Sequence, residues 1–207
     1  TASDGPPGWS LSQTAVLGSC SGGVVGWNFP DTTLSQLTSG TSYYVVTEAR
    51  DSSGLLEIDF TTDISTFVYD NDKPSTTITG PLHGAIRSNL TQITGTMQDF
   101  PNTSDRSPAG IHRVELTIQR LSDSQYWRGS DWGGLTWLST STSGSGIWEK
   151  TTGLPNFDHN ASYWIVARSS DKANNVESVF DVEVDSISVT FDLWAPTAAI
   201  SNLYLTA

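Results

Sequence analysis

The sequence predicts an all-β protein built from antiparallel β-sandwich domains in tandem. Two observations predict this fold class. Apolar residues alternate with a period of two and do not recur at helical spacing beyond about one turn. The chain of 207 residues also repeats itself at a spacing of about 122 residues, which is the size of one sandwich domain. The composition agrees, because 10% of residues are aromatic and only 15% are charged, a mixture that suits pleated strands.

The repeat is carried by two pairs of aligned segments. SYYVVTEARDSSGLLE aligns with SYWIVARSSDKANNVE at an offset of 120 residues, and YDNDKPSTTI aligns with FDLWAPTAAI at an offset of 122. The matched pairs are Tyr43 and Tyr163, Asp70 and Asp192, Pro74 and Pro196, and, further upstream, Trp27 and Trp148.

Several segments have the pattern of strands. IHRVELTIQ places Val114, Leu116 and Ile118 on one face of a half-buried strand. LTQITGTM (90–97) and SISVTFD (186–192) are further strands, and YWIVARSSDKANNVES is typical of a strand that enters a turn at DKANN and leaves it as a hairpin.

These elements predict three regions. Residues 1–73 form the C-terminal part of one repeat, residues 74–195 form a complete seven-strand sandwich, and residues 196–207 form a linker and the first strand of a following repeat. Half a sandwich exposes an open core and unpaired edges. We therefore expect neighbouring copies or a longer chain to complete the first repeat, unless it is a smaller variant that closes with fewer strands. The absence of an initiator Met and of a signal peptide predicts a processed form or an excerpt.

The pattern ITGTMQD…AGIHRVELTIQRLSDSQYW…SYWIVARSSDKANNVES…VTFD…APT resembles the Ig-like, fibronectin-III-like repeats of very large bacterial extracellular proteins. In those repeats a hairpin of the form A-R-x-x-D-x-A-x-N-V precedes a closing strand and an Asp-x-x-x-Pro linker. The matching residues are Ala167, Arg168, Asp171, Ala173, Asn175 and Val176. The first repeat departs from this pattern, with Glu48, Ser53 and Leu55 at the Arg, Ala and Asn positions.

The resemblance implies an Ig-like fold, an extracellular or cell-surface location and continuation into neighbouring repeats or self-association. Such repeats serve as stalks, fibres, filaments or sheaths, which is the first functional hypothesis. The alternative is an adhesin-type module that binds a glycan or a surface protein.

Charge and motif content exclude several other classes. A net charge of -12 with a pI near 4.3 excludes a basic surface for nucleic acid. The single Cys20 allows no intrachain disulfide, and no apolar run approaches the roughly 20 residues of a membrane span. The three His residues are far apart, and neither HExxH nor Gly-x-Ser-x-Gly occurs. The sequence therefore predicts a protein that is not an enzyme.

A run of oxygen-bearing side chains lies at the first junction between repeats. Asp70, Asn71 and Asp72 offer the ligands that Ca²⁺ prefers, and calcium there would stiffen the joint. Further ligands could come from Asp51, Glu57 or Asp63. The alternative is that these residues end a strand and begin a turn, with Pro74 fixing the linker. The second junction favours this alternative, because only the first aspartate recurs there.

The segment YWRGSDWGGLTW concentrates aromatic residues among glycines. Tyr126, Trp127 and Trp132 are a candidate glycan-binding platform, since aromatic rings stack on the apolar faces of sugars. The alternative is that Trp127 and Trp137 fill the sandwich core or the seam with the next repeat.

Three sequons, at Asn89, Asn102 and Asn160, are candidate glycosylation sites. A chain this rich in Ser and Thr contains a few sequons by chance, so they are weak evidence for glycosylation.

Overall fold

A computed structural model describes residues 16–17, 27–28, 37–46, 53–55 and 64–199. By their contacts the chain falls into two units, Thr1–Leu37 and Thr38–Ala207. In the first unit, strand β1 (Val16–Leu17) pairs antiparallel with β2 (Trp27–Asn28). Within the described part of the chain, no helix has the length and apolar character needed to cross a membrane.

The second unit begins with an antiparallel hairpin of β3 (Thr41–Val46) and β4 (Ile64–Tyr69). Thr41 lies opposite Tyr69, and Tyr43 lies opposite Phe67. The rings of Tyr43 and Phe67 stack with centroids 5.8 Å apart, and the Tyr43 hydroxyl accepts a hydrogen bond from the Thr38 N–H at 2.8 Å. The side chain of Tyr43 therefore fixes the turn that enters the hairpin.

Eleven further strands form a sandwich in the same unit. They are β5 (Ser75–Gly80), β6 (Ala85–Arg87), β7 (Ile93–Gln98), β8 (Ile111–Arg120), β9 (Tyr126–Trp127), β10 (Trp132–Gly133), β11 (Leu138–Ser139), β12 (Ser141–Ser143), β13 (Ile147–Lys150), β14 (Ala161–Asp171) and β15 (Ser186–Phe191). One sheet has the order β12-β13-β7-β5, and the other has the order β10-β9-β8-β14-β15-β6, with β11 also paired to β8.

This strand order is that of an Ig-like sandwich, which confirms the predicted all-β fold class. The first two strands of the sandwich lie in different sheets, β5 beside β7 and β6 beside β15. The pairing of β6 with β15 is parallel, and the other pairs are antiparallel. The two sheets face each other, because the inward residues of β8, β14 and β15 join those of β5 and β7 in one core.

The sandwich core consists of large apolar side chains from both sheets. Its buried members are Ile78, Ile93, Val114, Leu116, Ile118, Leu138, Trp148, Tyr163, Ile165, Ala167, Ile187, Val189 and Phe191. The inward face predicted for β8 is confirmed, since Val114, Leu116 and Ile118 are all buried. Trp148 fits against Gly95, where a Cβ would lie 2.4 Å from the indole, and its Nε1 donates to the Thr96 carbonyl at 3.1 Å.

Two elements differ from the sequence prediction by more than one residue. Strand β7 begins at Ile93 rather than at Leu90. The segment after DKANN does not form the predicted returning strand: Val176 makes one isolated bridge to Ser170, and the next strand, β15, starts at Ser186. The return is limited to this bridge and to the hydrogen bond from the Glu177 N–H to the Ser169 carbonyl at 3.0 Å, and the Glu177 side chain is buried. Its carboxylate accepts hydrogen bonds from Thr76 and Ser169, one residue in each sheet.

Candidate cation site

Three buried carboxylates meet where hairpin β3–β4 joins the sandwich. Asp70 follows β4, Asp99 follows β7, and Asp171 is the last residue of β14. Their side chains are 8%, 7% and 1% exposed. One carboxylate oxygen from each lies within 4.8 Å of the other two, and no other such group occurs in the described part of the chain.

Backbone amides and short side chains hold the Asp70 carboxylate in place. Its Oδ2 accepts from the Ala109 N–H at 2.6 Å. Its Oδ1 accepts from the Ser39 hydroxyl and from the Asp72 N–H, both at 3.1 Å. Asp70 is therefore bonded to the hairpin, to its own linker and to the loop between β7 and β8.

The other two carboxylates are oriented by the loops that carry them. Asp99 accepts from the N–H groups of Phe100 at 3.0 Å and Gly110 at 2.7 Å. Asp171 accepts from the backbone N–H of Asn175 at 2.8 Å and from its side-chain amide at 2.7 Å. The same Asn175 amide donates to the Asp70 carbonyl at 3.1 Å, so it ties the linker to the turn after β14.

The three carboxylates lack an ion-pair partner in the described part of the chain. None of the ion pairs found among the described residues includes any of them. Burial raises the pKa of Asp99, and repulsion from Asp70 and Asp171 raises it further, against the lowering effect of the two N–H donors. Three convergent carboxylates are a donor set for a hard cation such as Ca²⁺.

Only one of the three residues predicted to bind calcium belongs to this group of carboxylates. Asp70 belongs to the group, whereas the carboxylate of Asp72 does not. Asn71 is exposed, and its backbone N–H donates to the Ser39 hydroxyl at 3.1 Å. The additional candidates Asp51, Glu57 and Asp63 lie outside the described residues.

Sequence reasoning missed Asp99 and Asp171, because it looked for ligands on the hairpin side of the linker. The partners of Asp70 come instead from the sandwich that follows it. A usable signal was present: Asp99 follows a strand, Asp171 ends one, and the linker after one repeat must face the loops of the next. Asp171 belongs to the hairpin motif that was recognised in the sequence, although as a turn residue.

The end of the hairpin packs directly on the loop after Asp99. The Ser107 N–H donates to the Gly40 carbonyl at 3.0 Å. Gly40 has a φ of +74°, and a Cβ at this position would lie 2.5 Å from Pro101 Cγ. This close approach requires glycine, so the turn and the loop fit each other closely.

Trp127 of β9 and Trp132 of β10 pack on the edge of the sandwich core. Tyr126, Trp127 and Trp132 are each partly buried. Trp132 lies 5.4 Å from the Trp127 ring, 5.7 Å from the Tyr163 ring and 4.5 Å from the Arg120 guanidinium. The Trp127 indole donates to the Gly153 carbonyl at 2.7 Å. These contacts favour a packing role, and glycan binding at these residues stays a prediction.

The three sequon asparagines, Asn89, Asn102 and Asn160, are exposed and lie outside the strands. Their positions are accessible to a modifying enzyme, and their glycosylation stays a prediction.

Among solved structures, the fibronectin(III)-like modules of Clostridium thermocellum CbhA are similar to this chain, at 14% identity. The match covers 79% of this chain and 70% of that chain, with a TM-score of 0.36. No known family profile matches the chain, and no curated protein matches it. The assignment of the fold therefore rests on the strand order and the core described above.

Proposed function

We propose that this chain is a non-enzymatic structural part of an extracellular protein, in which Ig-like repeats follow one another as a stalk, fibre or sheath. One observation carries the proposal: the hairpin β3–β4 is docked end-on against the sandwich through the buried carboxylate of Asp70, which accepts from Ala109 in the sandwich and from Ser39 in the hairpin. A joint of this kind transmits orientation from one unit to the next, which is what an extended array needs.

The hairpin has the features of the closing strands of an Ig-like unit. Tyr43 is placed in β3 as Tyr163 is placed in β14, and each hydroxyl accepts from the N–H five residues before it, at 2.8 Å and 2.9 Å. A tyrosine bonded in this way is characteristic of Ig-like sandwiches. These features support a repeat that precedes the sandwich.

We further propose that calcium binds between Asp70, Asp99 and Asp171 and stiffens this joint. The three side chains belong to three separate segments, so one ion would link the linker, the loop after β7 and the end of β14. A cation there would also relieve the repulsion that raises the pKa of Asp99. Because the ion would bind the folded joint and not the unfolded chain, calcium should stabilise the protein.

Isothermal titration of the chain with CaCl₂ tests the proposal. We expect one site, weakened at least about tenfold by Asp70→Asn, Asp99→Asn or Asp171→Asn. Glu149→Gln is the matched control, because Glu149 is an exposed carboxylate on β13. Asp72→Asn distinguishes the ligands seen in the structure from those predicted from the sequence, because Asp72 belongs only to the second set. This variant should bind calcium as the wild type does.

Hydrogen exchange measured with calcium and with chelator tests the mechanical part. Calcium should slow exchange at the amides of Ala109, Gly110 and Asp72. Absence of binding, or equal binding by the wild type and all three variants of the carboxylate group, would overturn the calcium proposal. Binding without any change in exchange would overturn the stiffening role.

A further inference from the structure

The end of the sandwich at β15 has the same hydrogen-bonded arrangement as the end of the hairpin at β4. After β4, Asp70 Oδ1 accepts from the N–H two residues later at 3.1 Å, and the N–H between them donates to Ser39 at 3.1 Å. After β15, Asp192 Oδ1 accepts from the Trp194 N–H at 3.2 Å, and the intervening Leu193 N–H donates to His159 Nδ1 at 3.0 Å.

The two arrangements correspond residue by residue. Asp192 aligns with Asp70, and His159 aligns with Ser39. His159 Nδ1 lies 3.4 Å from Asp192 Oδ1, as the Ser39 hydroxyl lies 3.1 Å from Asp70 Oδ1. The similarity therefore includes the geometry of the linker and is not limited to the aligned aspartates.

At the hairpin end, three acceptors point at the following sandwich and are used by it. Asp70 Oδ2 accepts from the Ala109 N–H, the Asp70 carbonyl accepts from the Asn175 amide, and the Gly40 carbonyl accepts from the Ser107 N–H. All three donors lie in the two loops at one end of the sandwich.

At the β15 end, the corresponding acceptors have no hydrogen-bond partner among the described residues. Within the described residues, no hydrogen bond reaches Asp192 Oδ2, the Asp192 carbonyl or the Asn160 carbonyl, and the Asp192 side chain is 55% exposed. Trp194 stacks on His159 at 3.8 Å and remains 74% exposed, and Leu193 beside it is 43% exposed. An exposed indole next to open acceptors is typical of an interface that awaits a partner.

We infer that this surface is the docking site for a further Ig-like sandwich. The surface consists of His159, Asn160, Asp192, Leu193 and Trp194. The further sandwich would contact it with the loops at one end, as the β5–β15 sandwich contacts hairpin β3–β4. The inference rests on the proposed function, because it extends the same joint to the other end of the sandwich. The partner is identified by its chemistry: it offers loop N–H groups to Asp192 and an apolar loop surface to Trp194.

One residue sets a condition on the partner. Asn160 stands where the hairpin has Gly40, and both have positive φ, at 56° and 74°. A Cβ at Gly40 would lie 2.5 Å from Pro101 Cγ. A partner loop with proline at that place would therefore collide with Asn160, so the natural partner needs a smaller residue or a loop set further back.

A chain extended by a second sandwich tests the inference. Residues 74–199 are repeated directly after Ala195, so that Pro74 of the added copy takes the place of Pro196. Asn160→Gly in the first copy removes the collision with Pro101 of the added loop. The β5–β15 sandwich closes its own core, so the added copy is expected to fold, and equal circular dichroism of all the variants checks this.

Small-angle X-ray scattering is then measured, together with acrylamide quenching of Trp194 in the first copy. The quenching of this residue is obtained as the difference from a variant with Trp194→Phe in the first copy. Docking predicts one fixed orientation of the two sandwiches and a quenching constant for Trp194 at least about twofold lower than in the unextended chain. Asp192→Ala, or restoring Asn160, should release the second sandwich and return the quenching constant to its original value.

A freely hinged pair that scatters as the Asp192→Ala variant does, with Trp194 as accessible as in the unextended chain, would overturn the inference. The outcome is separable from that of the proposed function, because calcium titration of the unextended chain reports on Asp70, Asp99 and Asp171 alone. Calcium binding there without docking in the extended chain would contradict only the second joint.

Discussion

Hairpin β14–β15 lies inside a closed sandwich, whereas hairpin β3–β4, with the same register, leaves Val45, Phe67 and Val68 exposed. In the first, Tyr163 pairs with Val189, and in the second, Tyr43 pairs with Phe67. Each tyrosine accepts a hydrogen bond from the N–H five residues upstream. Local sequence is therefore sufficient to set the pairing and the entry turn of both hairpins.

Burial separates the two hairpins. Ile165 and Val189 are fully buried, but their counterparts Val45 and Phe67 are each 41% exposed. The difference arises because Ile165 and Val189 face a second sheet, where Trp148 and Ile93 complete the core. Backbone pairing thus gives a hairpin its form, whereas most of its contribution to stability depends on the sheet that covers it.

Truncating one equivalent side chain in each hairpin should give the largest contrast. Ile165→Ala is expected to lower the free energy of unfolding by about 2–5 kcal/mol, because it leaves a cavity in a packed core. Val45→Ala should change it by less than about 0.5 kcal/mol, because the residue is already 41% exposed and lies outside the packed core. Urea denaturation of both variants measures the difference, and equal losses would contradict the proposed contrast in burial.

The connection between β14 and β15 differs from that of the first hairpin in a second way. It contains a carboxyl group that is buried against the sandwich. Asp185 is 4% exposed, and its Oδ1 has no hydrogen-bond partner in the described part of the chain. Burial raises its pKa from 3.8 to about 6, and repulsion from Glu177 and Asp181 adds to the shift. Its counterpart in the first hairpin, Asp63, lies outside the described residues.

The sign of the pH effect follows from this raised pKa. Below pH 3.8 the group is protonated in both states and contributes nothing. As the pH rises towards 6 the unfolded chain loses its proton first, so stability falls, and above 6 the loss is complete. A shift of this size corresponds to about 3 kcal/mol. Asp185→Asn should therefore be more stable than the wild type at neutral pH and similar to it in acid.

Urea denaturation across the acidic and neutral range measures this effect of Asp185→Asn. Burial also raises the pKa of Glu177, so a residual slope of the same sign should remain in the variant. Glu149→Gln is the control, because Glu149 is exposed and is not among the groups that shift the pKa of Asp185, so it should leave the slope nearly unchanged. An Asp185→Asn variant with the wild-type pH profile would contradict the assignment.

Much of the fold could be predicted from the sequence, because strand periodicity is a local property. The alternation in β8 identified Val114, Leu116 and Ile118 as core residues, and all three are buried. The predicted returning strand after DKANN was wrong. In this segment the Glu177 carboxylate accepts a hydrogen bond from Thr76, a residue distant in sequence that only the tertiary fold brings close.

The candidate cation site shows the same limit. Asp70 could be predicted because acidic residues before Pro74 form a local pattern. Asp99 and Asp171 were not predicted, because their approach to Asp70 depends on how the ends of β7 and β14 meet the linker. Exposure was equally out of reach: the pattern around Trp132 gave no sign that Arg120 and Tyr163 would cover its ring.

The smallest expected effect separates the entry turns of the two hairpins. Tyr163→Phe removes the acceptor of the Asp158 N–H in a hairpin that belongs to the core, and should lower the free energy of unfolding by about 1 kcal/mol. Tyr43→Phe removes the equivalent acceptor of the Thr38 N–H, but the hairpin it serves contributes little buried surface, so global stability should change by less than about 0.5 kcal/mol. The effect of Tyr43→Phe should appear as faster hydrogen exchange at the Thr38 amide. If both variants instead lost equal global stability, hairpin β3–β4 would unfold together with the sandwich, and the joint at Asp70 would couple the two more strongly than their burial indicates.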